Sequence, residues 1–259
     1  MKKVILTTLI TVISATILFV DNGCKKGSGD PGISFRSRKA RVEGDWTLKS
    51  SALNLKKTTT SVSGTVNDSK DEIVFDGAEI TDTHSETTLG ETSVIKYTET
   101  LTYTFDKNGT WTSKRETKTT RSDSTQIPTN GFLYLYLKVT TAKTTTTSTG
   151  TWDFLNGVGD FKKKENMLLS TTSATEKVEE TGVFNPLEAA APPLDNEVVK
   201  TVTENKYDSN NEIWTLTTLK NKEMSVKMTY DSKYSRTVNG VADATTIVQS
   251  GEGSMDFSQ

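Results

Sequence analysis

Alternating apolar and polar side chains constrain this chain more than any other feature. The clearest stretch reads VIKYTETLTYTF, from Val94 to Phe105, and its apolar side chains fall on one face while lysine and threonine occupy the other. A period of two is that of a β-strand with one dry and one wet face. The turn signal Asp106–Gly109 follows, because Asn-Gly accepts positive φ. Thr110 to Arg121 then returns, so the sequence predicts an antiparallel hairpin.

The same alternation recurs to the end of the chain. Further strands are predicted at Phe132–Thr149, Glu197–Tyr207, Glu212–Leu219 and Met224–Tyr230. Threonine is the most abundant residue, and its branched side chain favours extended backbone. Beyond residue 40 no long helix is indicated.

Polar and proline-rich segments predict the connections between these strands. Turns are predicted at Asp208–Asn211 and Lys220–Lys222, and long loops at Ser122–Asn130 and Phe184–Asn196. The fold class expected is all-β, an antiparallel meander that closes into a β-barrel over residues 41–259. The alternative is that residues 197–259 form a separate subdomain.

The N-terminus has the pattern of an export signal. Lys2 and Lys3 precede the uncharged apolar run from Val4 to Val20, and the one cysteine, Cys24, lies just beyond it. This order predicts a lipoprotein signal peptide over residues 1–23 and acyl chains on Cys24. Gly23 agrees with that reading, whereas Asp21 stands where an apolar residue is usual. An uncleaved membrane anchor and a plain secreted protein are the alternatives.

The residues after Cys24 predict a flexible tether over residues 24–40, because glycine, serine and charged side chains dominate them. The membrane is therefore the expected partner, through acylated Cys24. The expected location is the cell envelope, as an outer-membrane lipoprotein.

Composition excludes several classes of function. A net charge of −2 gives no basic face for nucleic acid. One histidine and one cysteine do not supply a zinc site or a multi-histidine metal site. No metal or other cofactor is expected, and the chain is predicted not to be an enzyme. Hydrolysis by paired carboxylates is the enzymatic alternative.

Three tryptophans follow a glycine at fixed spacing. The motif G-x-W occurs at Trp46, at Trp111 within the hairpin Phe105–Trp111, and at Trp152. In this order, after a cysteine followed by lysines, the motifs resemble the lipocalin-like lipoproteins of Bacteroidetes. The resemblance implies a lipocalin-like barrel. The arginine that would pack over the first tryptophan has Arg236 as its nearest candidate.

Aromatic side chains are the candidates for lining a ligand cavity inside the barrel, with plain core packing as the alternative. They are Trp46, Tyr97, Tyr103, Phe105, Trp111, Tyr134, Tyr136, Trp152 and Trp214. His84 is expected to be a surface residue. The acidic residues of Asn67–Gly77 and the turn Asp106–Gly109 are expected to be solvated rather than to bind calcium.

The sequence therefore predicts a lipid-anchored, non-enzymatic envelope protein whose barrel binds a small hydrophobic or amphipathic molecule. The alternative is an adhesin-type or structural β-sandwich that acts through protein or glycan contacts.

The anchor can be tested by replacing Cys24 with alanine. Without the thiol no acyl chain can be attached, so Cys24→Ala should leave the signal uncleaved or release the protein from the membrane fraction. Cell fractionation with gel mobility measures both. Unchanged size and unchanged membrane partitioning would contradict the lipoprotein interpretation.

Overall fold

The computed structural model describes residues 38–86, 92–155, 165–220 and 222–259. The signal segment, Cys24 and most of the tether lie outside these residues. A short helix, α1, spans Arg38–Val42. Ten strands follow within the described residues: β1 (Gly44–Thr60), β2 (Val66–Phe75), β3 (Ile80–Glu86), β4 (Thr92–Phe105), β5 (Thr110–Thr129), β6 (Phe132–Phe154), β7 (Glu165–Pro186), β8 (Glu197–Leu219), β9 (Glu223–Val238) and β10 (Val241–Ser258).

The strands form a closed antiparallel barrel in which neighbours in sequence are neighbours in space, and β10 pairs with β1. The predicted all-β meander barrel is confirmed. Because β8, β9 and β10 belong to the same closed wall as β1, residues 197–259 are not a separate subdomain, and the sandwich architecture of the alternative is wrong.

The barrel has different strand numbers at its two ends. At one end, here called the base, Gly44–Thr47 of β1 pairs directly with Thr102–Phe105 of β4, which leaves a ring of eight strands. Further along, β1 pairs with β2 and β4 with β3. The β2–β3 hairpin thus enters the wall as a wedge and widens the barrel from eight strands to ten.

The opposite, far end is formed by the longest strands. The β4–β5 ladder ends at the pair Thr98 and Lys118, and the rest of β5 pairs with β6 alone. The wall is therefore split between β4 and β5 beyond this pair, and the lumen opens there.

Two predicted turns and one predicted loop are confirmed. Asp106–Gly109 closes the β4–β5 hairpin, with Gly109 at a φ of 87°. β8 ends at Leu219 and β9 begins at Glu223, and Lys220 N donates to Glu223 O at 2.8 Å; Asn221, in the middle of the predicted turn, lies outside the described residues. Residues 187–196 connect β7 to β8, inside the loop predicted at Phe184–Asn196.

The loop predicted at Ser122–Asn130 is wrong. β5 continues through Thr129 and pairs residue by residue with β6. The turn lies at Asn130 and Gly131, both with positive φ, which is the Asn-Gly hairpin signal. Pro128 is tolerated because β5 is an edge strand there, where one side of the backbone needs no donor.

The turn predicted at Asp208–Asn211 is also wrong. β8 is continuous from Glu197 to Leu219 and pairs with β7 and β9 on either side. The register with β9 shifts between Tyr207 and Ser209, so Asp208 is an extra residue accommodated as a β-bulge. The ladder with β7 is interrupted between Asn205 and Asn211, so the ladder with β9 keeps the polar segment extended.

Aromatic rings fill the lumen at the base. This aromatic plug consists of Trp46, Tyr103, Phe105, Trp111, Trp152, Trp214 and Phe257, all buried. Trp214 and Phe257 stack with ring centroids 5.5 Å apart, and Tyr103 meets the edge of Trp214 at 5.1 Å. The expected burial of the three G-x-W tryptophans is confirmed.

Each indole N–H in the plug has an acceptor, as buried donors require. Trp46 Nε1 donates to the carbonyl of Val42 at 2.7 Å, and Trp111 Nε1 to that of Thr151 at 3.1 Å. Trp152 Nε1 donates to Thr110 O at 3.0 Å. The plug therefore contributes its apolar area without leaving an indole donor unpaired.

The structure requires glycine at position 150, the first residue of the G-x-W motif that ends at Trp152. Gly150 pairs with Trp111 across β5 and β6. A Cβ at position 150 would lie 2.6 Å from Trp111 Nε1 and would also meet the Ser170 carbonyl. Only glycine leaves room for the ring.

The helix α1 covers the base. Arg41 is buried there, and its Nη1 donates to Leu219 O at 2.8 Å. Arg236, the candidate for this role from the sequence, lies instead on β9 near the far end, 3.8 Å from Asp243. Arg236 therefore does not pack over Trp46, and the arginine buried at the base comes from the segment before the first strand.

Removing a ring from the plug should destabilise the barrel. Trp46 is 0 % exposed, so Trp46→Ala should lower the free energy of unfolding by about 3–5 kcal/mol through lost burial and a residual cavity. Urea unfolding followed by circular dichroism measures the change. Phe132→Ala is the control, since Phe132 is 67 % exposed and its loss should change the midpoint little. Equal midpoints for wild type and Trp46→Ala would contradict the plug.

Candidate functional site

A cavity of about 230 Å³ lies in the lumen, with the Tyr103 ring of the aromatic plug in its lining. Its lining residues form two sets by chemistry, here called the apolar wall and the polar wall. The apolar wall consists of Leu48, Leu53, Leu55, Ile73, Leu101, Met228 and Met255, mainly on β1, β2, β9 and β10. The polar wall includes Glu99, Ser113, Arg115, Thr146, Ser148, Glu212 and Tyr230. The cavity is thus amphipathic.

Arg115 and Glu99 form an ion pair in the polar wall. Arg115 Nε donates to one Glu99 carboxylate oxygen at 2.6 Å, and Nη2 donates to the other at 3.2 Å. The Glu99 side chain is 4 % exposed, while that of Arg115 is 40 % exposed. Burial by itself lowers the pKa of Arg115, but the Glu99 carboxylate raises it above its ordinary value. The guanidinium therefore stays charged, and this carboxylate neutralises it.

Glu212 lines the same cavity without such a partner. Its Oε2 accepts a hydrogen bond of 2.9 Å from Trp214 Nε1 in the plug. No ion pair of Glu212 is present among the described residues. Burial raises its pKa to about 7, and the Trp214 hydrogen bond offsets only part of this increase. Glu212 is thus a carboxyl that can gain or lose a proton near neutral pH.

Tyrosine hydroxyls complete the polar wall. Burial raises the pKa of Tyr103 and of Tyr230, so both phenols stay protonated and can donate hydrogen bonds. Towards the far end, the rings of Tyr207 and Tyr234 lie 5.3 Å apart on the same faces of β8 and β9. Aromatic rings are therefore also present on β8 and β9 beyond the cavity, towards the far end.

The aromatic residues predicted to line a cavity lie in three places. Trp46, Phe105, Trp111, Trp152 and Trp214 lie in the plug. Tyr103 belongs to the plug and also lines the cavity, and Tyr97 lies beside it, 3.5 Å from Arg115 Nη2.

Tyr134 and Tyr136 lie at the far end, away from the cavity. Tyr136 is buried and donates from its hydroxyl to Pro192 O at 2.7 Å, so it holds the β7–β8 connection. Tyr134 packs near Phe132. A ligand-lining role for the aromatic set as a whole stays a prediction.

The charged residues of the polar wall were not singled out from the sequence. Glu99 has the same odd-numbered parity as Tyr97 and Tyr103, and Arg115 has the parity of Trp111. Glu212 stands two residues before Trp214. The sequence signal that could have identified them is a charged residue at an inward-facing position of a strand with alternating polarity.

The acidic residues of β2 do not form one cluster. Asp71 forms a short contact with His84 Nδ1, and this hydrogen bond raises the pKa of His84. The His84 side chain is 33 % exposed and paired with Asp71. Asp68 accepts from Thr58, and Asp76 accepts from the backbone of the β2–β3 turn. Within the described ranges, no group of three metal-ligating side chains could hold an ion.

In the part of the chain that the structure describes, no helix is long and apolar enough to cross a bilayer. No protein-family model and no curated protein sequence matches the chain. One solved structure with limited similarity is the attachment invasion locus protein Ail of Yersinia pestis. It is 8 % identical, with a TM-score of 0.32, and the match covers 83 % of this chain and 99 % of that one. A TM-score this low does not establish a shared fold or function.

The raised pKa of Glu212 predicts a loss of stability as pH rises. The unfolded chain ionises Glu212 near 4.5, whereas the folded protein holds the proton until about 7. Between these values the folded state binds more protons, so its stability is complete at the acidic end and falls towards neutral pH. Tyr103, Tyr230 and Arg115, which line the same cavity, do not titrate in this window.

Glu212→Gln removes this dependence. From about pH 4.5 to about pH 8, the variant should gain roughly 2–3 kcal/mol in free energy of unfolding relative to wild type. Urea titrations at several pH values measure the gain. Glu252→Gln, an exposed change on the outer face of β10, should show no such trend. If the difference in free energy of unfolding between Glu212→Gln and wild type were the same at every pH, this would contradict a protonated Glu212 in the folded protein.

Proposed function

We propose that this protein is a lipid-anchored binding protein of the cell envelope, which holds a small amphipathic molecule inside its barrel. The cavity beside the aromatic plug carries the proposal. A concave apolar lining with a few placed polar groups is the usual form of a small-molecule site.

The arrangement of the barrel supports a lipocalin-like role. Its base is a ring of eight strands, the number in lipocalin barrels, and the inserted β2–β3 hairpin widens the lumen beyond the base. Barrels of this size hold one small ligand when their interior is not filled by side chains.

The anchor part of the proposal rests on the leader sequence. Two lysines, an apolar run and Cys24 stand in the order of a bacterial lipoprotein, which attaches the chain to the outer membrane through acyl groups. A tether of residues 24–37 would join the anchor to α1, which lies at the base. The far end of the barrel is then free to point away from the anchor.

The ion pair of Glu99, set beside Glu212 without such a pair, favours a binding role over hydrolysis. Glycoside hydrolysis uses one carboxyl as acid and another as base or nucleophile. Arg115 holds Glu99 in a bidentate ion pair, which leaves Glu212 as the carboxyl able to exchange a proton.

A contact function is the second candidate, and exposed apolar residues at the far end favour it. Phe132 and Leu133, beside the β5–β6 turn, are 67 % and 64 % exposed. Val198 on β8 and Val241 on β10 are also exposed. Such residues at the free end of a barrel could contact a protein or glycan.

The two candidates are separated by filling the cavity. Ser148 lines it from β6, so Ser148→Phe should occupy the space and weaken binding of the neutral apolar fluorophore N-phenyl-1-naphthylamine. A loss of about tenfold in affinity, or about 1.4 kcal/mol, is expected, measured by fluorescence titration.

Thr147→Phe is the matched control, because Thr147 is the adjacent residue and is exposed on the outer wall. It should bind the fluorophore as wild type does, and circular dichroism verifies that both variants are folded. Equal affinities for wild type, Ser148→Phe and Thr147→Phe would contradict binding in the lumen and would favour the contact function.

A further inference from the structure

We propose that the cavity selects a compact cationic amphipath, such as a primary amine on a short alkyl or aryl body. This inference rests on the proposed function, that the lumen binds a small molecule, and it names the chemical class of that molecule.

The charges of the cavity carry the inference. Among the described residues that line it, Arg115 is the one cationic side chain, and both of its donor groups facing Glu99 are engaged. The Arg115–Glu99 pair is therefore electrically satisfied. Glu212 remains as a carboxyl with a neutral hydrogen-bond donor, Trp214, and without a cation.

A ligand ammonium group would provide the missing counter-ion. A buried carboxyl without a counter-ion is held in its neutral form, which agrees with the pKa of Glu212 near 7. When a cation binds beside it, the carboxylate form is favoured, and a charge-assisted hydrogen bond replaces a neutral one. Such bonds are about twice as strong as neutral ones.

The other walls agree with a cation that has an apolar body. Tyr103 and Tyr230 line the same cavity as Glu212, and aromatic faces attract cations. The apolar wall, which includes Leu53, Leu55 and Met255, would pack against hydrocarbon. The volume of about 230 Å³ is below the 300–1,000 Å³ usual for drug-sized ligands, which indicates a compact molecule.

The same charges disfavour a ligand with an anionic head group. A carboxylate ligand would face Glu99 and Glu212, and the guanidinium that could bind it already holds Glu99 at 2.6 Å. Because Glu99 already neutralises Arg115, an anion in the cavity would add a negative charge that no further cation of the lining balances, which is costly.

The test uses three molecules that share one alkyl chain: octylamine, octan-1-ol and octanoate. Isothermal titration calorimetry of the purified protein near neutral pH measures each affinity. Octylamine should bind about tenfold or more tightly than octanoate, with octan-1-ol between them. Glu212→Gln keeps an acceptor for Trp214 but removes the charge, so it should reduce octylamine affinity about tenfold and leave octan-1-ol unchanged.

Glu252→Gln, on the outer face of β10, controls for the change in net charge and should leave all three affinities unchanged. Equal or tighter binding of octanoate, or an octylamine affinity unaffected by Glu212→Gln, would overturn the cationic assignment while binding in the lumen stands. If none of the three binds but N-phenyl-1-naphthylamine still does, the assignment again falls and the binding function survives. Failure of every molecule, the fluorophore included, would overturn both.

Discussion

The packing of aromatic rings at the base is the interaction on which the rest of this barrel depends. An eight-stranded ring leaves an interior just wide enough for side chains to fill, and here tryptophan, tyrosine and phenylalanine fill it. The rings contact each other edge to face or stacked at about 5–6 Å, the separations that favour such pairs. The plug closes one end of the lumen, and α1 seals it from outside through the buried Arg41.

The β2–β3 hairpin sets the boundary between the section of the lumen that side chains fill and the section that contains the cavity. At the base, β1 pairs with β4, and the buried rings of the aromatic plug occupy the interior. Once the hairpin separates these two strands, the circumference grows to ten strands and the diameter grows with it. The side chains that line this wider section are leucines, methionines, serines and a few charged and tyrosine residues, with no tryptophan among them, and they leave a cavity of about 230 Å³. A change of strand number within one wall thus produces a plugged end and a hollow section.

The charged groups that line the cavity are not there to stabilise the barrel. A buried ion pair contributes little net stability, and a buried carboxyl without a cation costs stability at neutral pH. Arg115, Glu99 and Glu212 therefore stand out against the apolar wall of the cavity. Groups that oppose stability in this manner are those from which ligand sites are usually built, and they converge here on one cavity.

The sequence by itself determined the all-β class, most of the strands, the Asp106–Gly109 turn and the burial of the G-x-W tryptophans. These features depend on period-two alternation and on turn chemistry, which are local and can be read from neighbouring residues. Local residue types gave wrong predictions of a turn at Asp208–Asn211 and a loop at Ser122–Asn130, because ladders with distant strands keep these polar segments extended. The same limit applies to the cavity: Glu99, Arg115 and Glu212 come from β4, β5 and β8, and only closure of the barrel brings them to one site. Strand parity placed each of them on an inward face, but the tertiary structure decided that Arg115 would neutralise Glu99 and that Glu212 would be left without a counter-ion.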